Sequence, residues 1–358
     1  MIPIFTSLVL GLLLLLRPLS SLYPLLFDKS ARIDVPFHND ELTGTRFWIL
    51  FFYFIFSSVA RRLGLTSPSR STDISVRMPF RSKREDVELY LMASLATCST
   101  EEILDVPAHL QLFLSALTEP AMLVLLAKRG CPIDPIGAVN VRNRFELSEP
   151  SFCVSALKDP ARLYIAAKLS EEVVKVKRGW EYSIIVELKS KNGSRKGDTA
   201  LYRQIFTMLQ FAKHHTPVPP ISQADSHPTT TVTHIQLTAN DPTLWAKLSK
   251  DYNPIHMSAL AARLLGFKMK IAHGNHVAAK AIEAALQAER RSILEDGPGD
   301  EHKKLGLSEN GIMEVDFKRP SFVPCDVEVK TSSALTDRET YVEIVSKDKV
   351  LITIRCRV

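Results

Sequence analysis

Residues 251–274 read DYNPIHMSALAARLLGFKMKIAHG, and the rest of the chain is best understood outward from them. Asp251 and His256 stand five positions apart with Asn253-Pro254 between them. Proline biases the residue before it away from the helical region, so no continuous helix face fixes the two side chains relative to each other. A turn there aims both into one pocket, where an acid and an imidazole hold a water and move its protons at neutral pH. Gly274 precedes an alanine-rich helical segment, 277–291. A backbone N–H at a helix N-terminus, with no side chain in front of it, stabilises a carbonyl oxygen that gains negative charge. Taken singly, an Asp or a His is more often a cap or a surface residue. The conjunction carries the reading.

The same order of elements occurs twice around this stretch. In the second half a strand at Thr231–Thr238 precedes the helical and loop-like run Pro242–Leu265, with Asp241 as a cap. Then come the helix Val277–Arg291 and strands at Ile312–Lys318, Asp326–Ser333, Thr340–Ser346 and Val350–Val358. In the first half Ala108–Arg129 has apolar residues at helical spacing, and Glu119-Pro120 is expected to break or kink it. Strand-like runs follow at Ile136–Leu147, Arg162–Val176, Glu181–Lys189 and Thr199–Phe211, with a hairpin signal at Lys191-Asn192-Gly193-Ser194. No residue-level repeat relates the halves. The pattern predicts an α+β architecture in which an antiparallel sheet wraps a central helix, twice over. The expected organisation is a membrane-associated segment at 1–65, a basic linker at 66–87, a first half at 88–216, a Pro/Ser/Thr connector at 217–230 and a catalytic half at 231–358.

The stretch resembles the signature of MaoC-like (R)-specific enoyl-CoA hydratases and 3-hydroxyacyl-thioester dehydratases. Asp251, Asn253, Pro254, Ile255, His256, Ala261, Gly266, Phe267, Ile271, Ala272, His273 and Gly274 stand in register with it. The close match covers about 24 residues, and a looser one runs on through Asp316-Phe317-Lys318-Arg319-Pro320. Lys270 and Asn275 depart from the pattern. The resemblance implies a double hot-dog fold and reversible addition of water across a trans-2-enoyl thioester. It implies that Asp251 and His256 activate the water, that Asn253 orders the turn or touches the water, and that the Gly274 N–H stabilises the enolate-like oxygen. Phe267, His273 and Asn275 are the implied substrate-side residues; His273 and His276 are also candidate extra bases, although a structural role suits His273 better. The substrate is an acyl-CoA or acyl-carrier-protein thioester, with no metal and no cofactor, and a homodimer is compatible with the fold. The first half has Cys131-Pro-Ile-Asp134-Pro135 but no matching histidine, so it reads as a degenerate hot-dog half. Arg142 and Arg144 form a basic strand segment suited either to the phosphates of CoA or pantetheine, or to a solvated face.

Composition agrees with a globular protein that has a membrane-seeking end. The 358 residues are 46% apolar and 23% charged, which excludes a disordered chain. Seven of the basic residues fall between Arg61 and Arg84 against one acid, Asp73, and this accounts for the net charge of +6. The remainder is near neutral, so no nucleic-acid surface is expected. Five scattered cysteines, Cys98, Cys131, Cys153, Cys325 and Cys356, read as reduced structural thiols. Residues 2–16 and 47–60 are apolar blocks, each short of the roughly 20 residues of a full span. Each block can be a marginal span, an interfacial helix or a re-entrant piece; the basic cluster after the second places the catalytic part in the cytosol, on the endoplasmic reticulum or another endomembrane, with mitochondrial and peroxisomal membranes also open. A buried helical hairpin is the plain alternative. The competing functions are an inactive hot-dog protein that binds acyl thioesters or scaffolds a complex, and a thioesterase.

Overall fold

The computed structural model describes residues 18–65, 73–191, 198–212, 231–296, 311–334 and 339–357. Within them lie helices α1 (residues 18–27), α2 (Gly44–Arg62), α3 (Arg84–Ser94), α4 (Thr100–Asp105), α5 (Pro107–Ala127) and α6 (Pro150–Leu157). Helices α7 (Asp241–Ser249), α8 (Pro254–Met257), α9 (Ala259–Leu264) and α10 (Gly274–Asp296) belong to the second half. The strands are β1 (Arg32–Asp34), β2 (Ser75–Pro79), β3 (Ala138–Leu147), β4 (Leu163–Val176), β5 (Gly179–Ser190), β6 (Thr199–Phe211), β7 (Thr231–Leu237), β8 (Ile312–Phe317), β9 (Cys325–Ala334), β10 (Glu339–Ser346) and β11 (Lys349–Arg357).

All of these strands join one sheet in the order β1-β2-β4-β5-β6-β3-β8-β11-β10-β9-β7. Taken from its two ends inward, the sheet repeats itself: β2-β4-β5-β6-β3 has the same topology as β7-β9-β10-β11-β8. In each half the first strand lies at the outer side, the second lies at the centre, and the last three fill the space between. The halves meet where β3 pairs antiparallel with β8, from Arg142 opposite Asp316 to Glu146 opposite Ile312. The helix between the first two strands of each half, α5 or α10, is the one its sheet wraps.

Helix α5 is buried along all 21 of its residues. It is the one helix among the described residues long and apolar enough to cross a membrane, and 94% of its apolar window is inside the protein, so it is a core helix. It continues through Pro120 without the expected break. A proline in a helix interior costs about 3 kcal/mol, and packing on every side of α5 outweighs that. Helix α10 buries Ala278, Ala279, Ala281 and Ala285, small residues that let its backbone approach the sheet and α5. The two helices are joined by a buried polar bridge. His109 on α5 sits 2.9 Å from Glu283 on α10 through Nε2 and 2.9 Å from the Tyr90 hydroxyl through Nδ1.

Strand β2 lies within the stretch whose composition marks a linker. Only Val76 and Met78 of its five residues are buried, and the intervening polar residues hide the alternation. Its position in the first half is that of β7 in the second, so the first half starts at β2. Several of the basic residues around it are engaged by the rest of the fold. The Arg61 guanidinium donates to the carbonyls of Cys131, Pro132 and Ile133. Arg77 lies over the Tyr164 ring, and Arg81 and Lys83 both pair with Asp40. The connector 217–230 and residues 192–194 of the hairpin signal lie outside the described residues; β5 and β6 pair antiparallel on either side of the latter.

The second apolar block forms α2, which lies along the body of the protein and does not stand apart from it. Phe47, Leu50, Phe51 and Phe54 are buried against the core. Helix α1 buries Leu22, Leu25 and Leu26 in the same way. Residues 2–16, the first block, lie outside the described residues.

Candidate active site

Helix α7 ends at Ser249, and Lys250 takes a left-handed conformation (φ 59°) that turns the chain sharply. Asp251 follows in the turn, its N–H donating to the Ser249 hydroxyl. The Asp251 carboxylate accepts the Asn253 N–H at 3.1 Å, and the Asn253 side chain accepts the Ile255 N–H at 3.3 Å. Asn253 therefore caps α8, with Pro254 at its first position. This assigns Asn253 to ordering the turn. One turn later His256 projects back, and its Nδ1 lies 2.8 Å from the Ile271 carbonyl. A carbonyl only accepts, so Nδ1 carries the proton and Nε2 presents a lone pair. That lone pair lies 3.8 Å from Asp251 Oδ2. The sequence-level pair is thus brought together, with one gap between two acceptors.

His273 closes the other side. Its Nε2 donates to the Asp251 carbonyl at 3.0 Å, and its ring stacks on that of His256 with centroids 3.8 Å apart. Burial, then the neighbouring His256, holds His273 well below the usual imidazole value. His256 is also lowered, chiefly by burial, with Asp251 and the Ile271 carbonyl opposing. Asp251 is raised, again chiefly by burial, with His256 and the Asn253 N–H pulling it down. The site therefore holds neutral imidazoles around a carboxyl group that resists ionisation. Donor atoms of Asp251, His256 and His273 lie within 4.8 Å of one another, a spacing at which an ion can be held. One of them, His273 Nε2, is already donating to a carbonyl.

Gly274 opens α10 beside this cluster, where the first N–H groups of a helix have no intrahelical partner. A Cβ on Gly274 would lie 2.2 Å from Phe317 Cε1, so only glycine lets β8 pass this close to the helix N-terminus.

The remaining sequence-level candidates have other tasks. Both ends of the Asn275 amide are engaged: Oδ1 accepts from Asn143 on β3 and Nδ2 donates to the Ser115 hydroxyl on α5, each at 2.8 Å. Asn275 fastens the start of α10 to the first half. Phe267 is half-buried behind Gly266 and donates its N–H to the Ala262 carbonyl. His276 faces away from the site; it donates to the Ala93 carbonyl, stacks on Trp245, and burial pushes it down to about 4. Asp134 binds the Ser58 hydroxyl of α2 and turns its own loop.

Arg142 and Arg144 do not offer a free phosphate site. Arg142 pairs with Asp316 at 2.7 Å, and Arg144 pairs with Glu146 and Glu314. Between them Asn143 is buried on the opposite face, so the pleat directs both arginines outward. Partly exposed ion pairs contribute about 0–1 kcal/mol. Arg142→Ala and Arg144→Ala are accordingly expected to change stability by no more than this and to leave the KM for an acyl-CoA unchanged. A large rise in KM would return the phosphate to them.

One group escaped the sequence reading. Glu119, on α5 of the degenerate half, is buried beside Ser249 and within electrostatic reach of Asp251. Burial and the Asp251 charge hold its carboxyl well above the usual range, with the Ser249 hydroxyl opposing. The available signal is a lone acid in a 21-residue apolar helix.

The MaoC like domain family model matches residues 221–293. The fold is similar to that of HtdX of Mycobacterium tuberculosis, at 18% identity and a TM-score of 0.54, over 79% of this chain and 99% of that one. A MaoC-like dehydratase from Phytophthora capsici gives 14% identity and a TM-score of 0.54 over 79% and 93% of the two chains. Full-length peroxisomal multifunctional enzyme type 2 from Drosophila melanogaster gives 15% and 0.52, over 79% of this chain and 48% of that one. At these identities the likeness is one of fold, and it is the double hot-dog fold. No curated protein matches the sequence.

Proposed function

We infer, from the MaoC-like domain that the chain carries and from the acid–imidazole pair inside it, that the protein is a hydratase/dehydratase of acyl thioesters. The observation that carries this reading is the 3.8 Å gap between Asp251 Oδ2 and His256 Nε2, two acceptors held by separate backbone anchors. A water between them donates one hydrogen to each and turns its lone pair towards C3 of a trans-2-enoyl thioester. As the oxygen bonds to C3, a proton passes from the water to the pair, and electrons shift onto the thioester oxygen. The Gly274 N–H, at the positive end of α10, stabilises that oxygen. The pair then returns the proton to C2, the carbonyl reforms, and the site ends as it began. Dehydration of a 3-hydroxyacyl thioester is the same path reversed. The two groups titrate as one unit, so neither alone is named the base.

Asn253 orders the turn and His273 fixes the Asp251 backbone and the His256 ring. Neither needs to touch substrate. The full chain with crotonyl-CoA tests the reading: 3-hydroxybutyryl-CoA is the expected product. Free CoA would make the protein a thioesterase, and binding without turnover would make it an acyl-thioester-binding or scaffold protein.

A further inference from the structure

Helix α2 carries two apolar faces. Its inner face is buried, yet Trp48, Phe52, Ile55, Phe56 and Val59 are exposed, Phe52 at 63% and Phe56 at 71%. At 3.6 residues per turn these five fall within an arc of about 100°, a single stripe along the outer side. Between Arg46 and Arg61 the helix has no charged residue. Helix α1 adds Leu19, Tyr23 and Phe27, exposed at successive turns. The two helices are neighbours: Arg46 at the start of α2 donates to the Ser21 hydroxyl of α1. Their far ends are tied to one loop, α1 through Arg129 to the carbonyls of Leu25 and Phe27, and α2 through Arg61 to the carbonyls of residues 131–133.

We propose that the outer face of α1 and α2 docks in the plane of a lipid bilayer, and that α2 lies in one leaflet without spanning it. Two observations select a bilayer as the occupant. Residues 2–16, an apolar run of 15 residues, are separated from α1 by Arg17 alone, and a medium that covers the stripe is also one that a run of this composition favours. Exposed cations stand at the ends of the helices, Lys29 and Arg129 beside α1 and Arg62 on α2. They suit anionic headgroups around an apolar face that sits in the headgroup–acyl boundary. Phe47 joins this face to the site, with its ring 5.5 Å from that of Tyr252, the neighbour of Asp251. Docking therefore sets the Asp251 turn at the membrane surface. On the proposed function, an acyl chain dissolved in the bilayer reaches the site from the side.

The test uses the full chain and vesicles of phosphatidylcholine, with and without phosphatidylserine, whose acyl chains are brominated either near the headgroup or near the methyl end. With Trp180→Phe throughout and the fully buried Trp245 as a constant background, a reporter tryptophan is placed by Phe52→Trp, Phe56→Trp or Val59→Trp in a Trp48→Phe background, beside a chain that keeps Trp48. In-plane docking predicts equal quenching at all four positions by shallow bromines, little by deep ones, and stronger recruitment with phosphatidylserine. The pair Phe52→Glu/Phe56→Glu, on side chains that are mostly exposed, should abolish quenching of Trp48 while leaving the thermal transition without vesicles unchanged. Quenching that deepens steadily from Trp48 to Val59 would show a span and overturn the proposal. So would no quenching at any position, or a lipid-independent dimer that the Glu pair dissociates. None of these readouts needs turnover. The Asp251→Asn chain should dock like the parent, which separates failure of this proposal from failure of the hydratase reading.

Discussion

Asp251→Asn and His256→Ala are each expected to lower hydratase turnover by about 100- to 10,000-fold, the usual contribution of a general acid–base group, while circular dichroism stays that of the parent. The pH dependence of stability separates a catalytic pair from a structural one. Asp251 is raised from 3.8 in the fold, so its contribution to stability is complete below 3.8 and is lost as pH rises through its native value. Between 3.8 and that native value the asparagine variant should gain on the parent as pH rises, and above it the difference should stay constant. His256 is lowered from 6.5, so the folded state binds its proton less readily than the unfolded chain. Its contribution is present above 6.5 and is lost as pH falls from there through its lower native value, and His256→Ala should reduce this part of the acid sensitivity. Turnover above roughly a tenth of the parent in both variants would remove the pair from the mechanism.

Gly274→Ala should be nearly as damaging, for a steric reason. The new methyl would stand 2.2 Å from Phe317 Cε1 and 2.6 Å from Cδ1, far inside contact distance. Either the ring moves or the start of α10 moves. Overpacking of this kind costs about 1–3 kcal/mol, and a displaced N–H no longer meets the thioester oxygen. The expected outcome is a lower melting temperature together with a drop in kcat larger than the rise in KM. Phe317→Leu should recover stability in the double variant, since contacting residues couple by about 0.5–3 kcal/mol. A Gly274→Ala chain with parental kcat would show that the N–H is not where the charge develops.

The core of the site was legible because it is local. Asp251, Asn253, Pro254 and His256 sit within six residues, and the rules that shape such a turn operate over that range. The succession of strands along the chain was legible for the same reason; β6 spans Thr199–Phe211, the bounds expected for that run. What sequence could not supply was tertiary. Glu119 is 132 residues from Asp251 in the chain, and only the packing of α5 against the second half brings their charges together. Strand β2 was concealed by the residues on its outer side, and the outward aim of Arg142 and Arg144 depends on pairing with a strand far along the chain. The block at 47–60 is predominantly apolar, but composition does not distinguish a helix bare on all sides from one already half covered by its own protein.

The seam between β3 and β8 has a consequence for mass action. Two separate hot-dog chains that share a sheet come together only as concentration permits, and they part on dilution. Here both partners lie on one polypeptide, so each half meets the other at a local concentration fixed by the chain, whatever the amount of protein present. Because that union is permanent, the two copies are released from having to be alike. One half is free to keep the Asp251–His256 turn, and the other to set the buried Glu119 beside it.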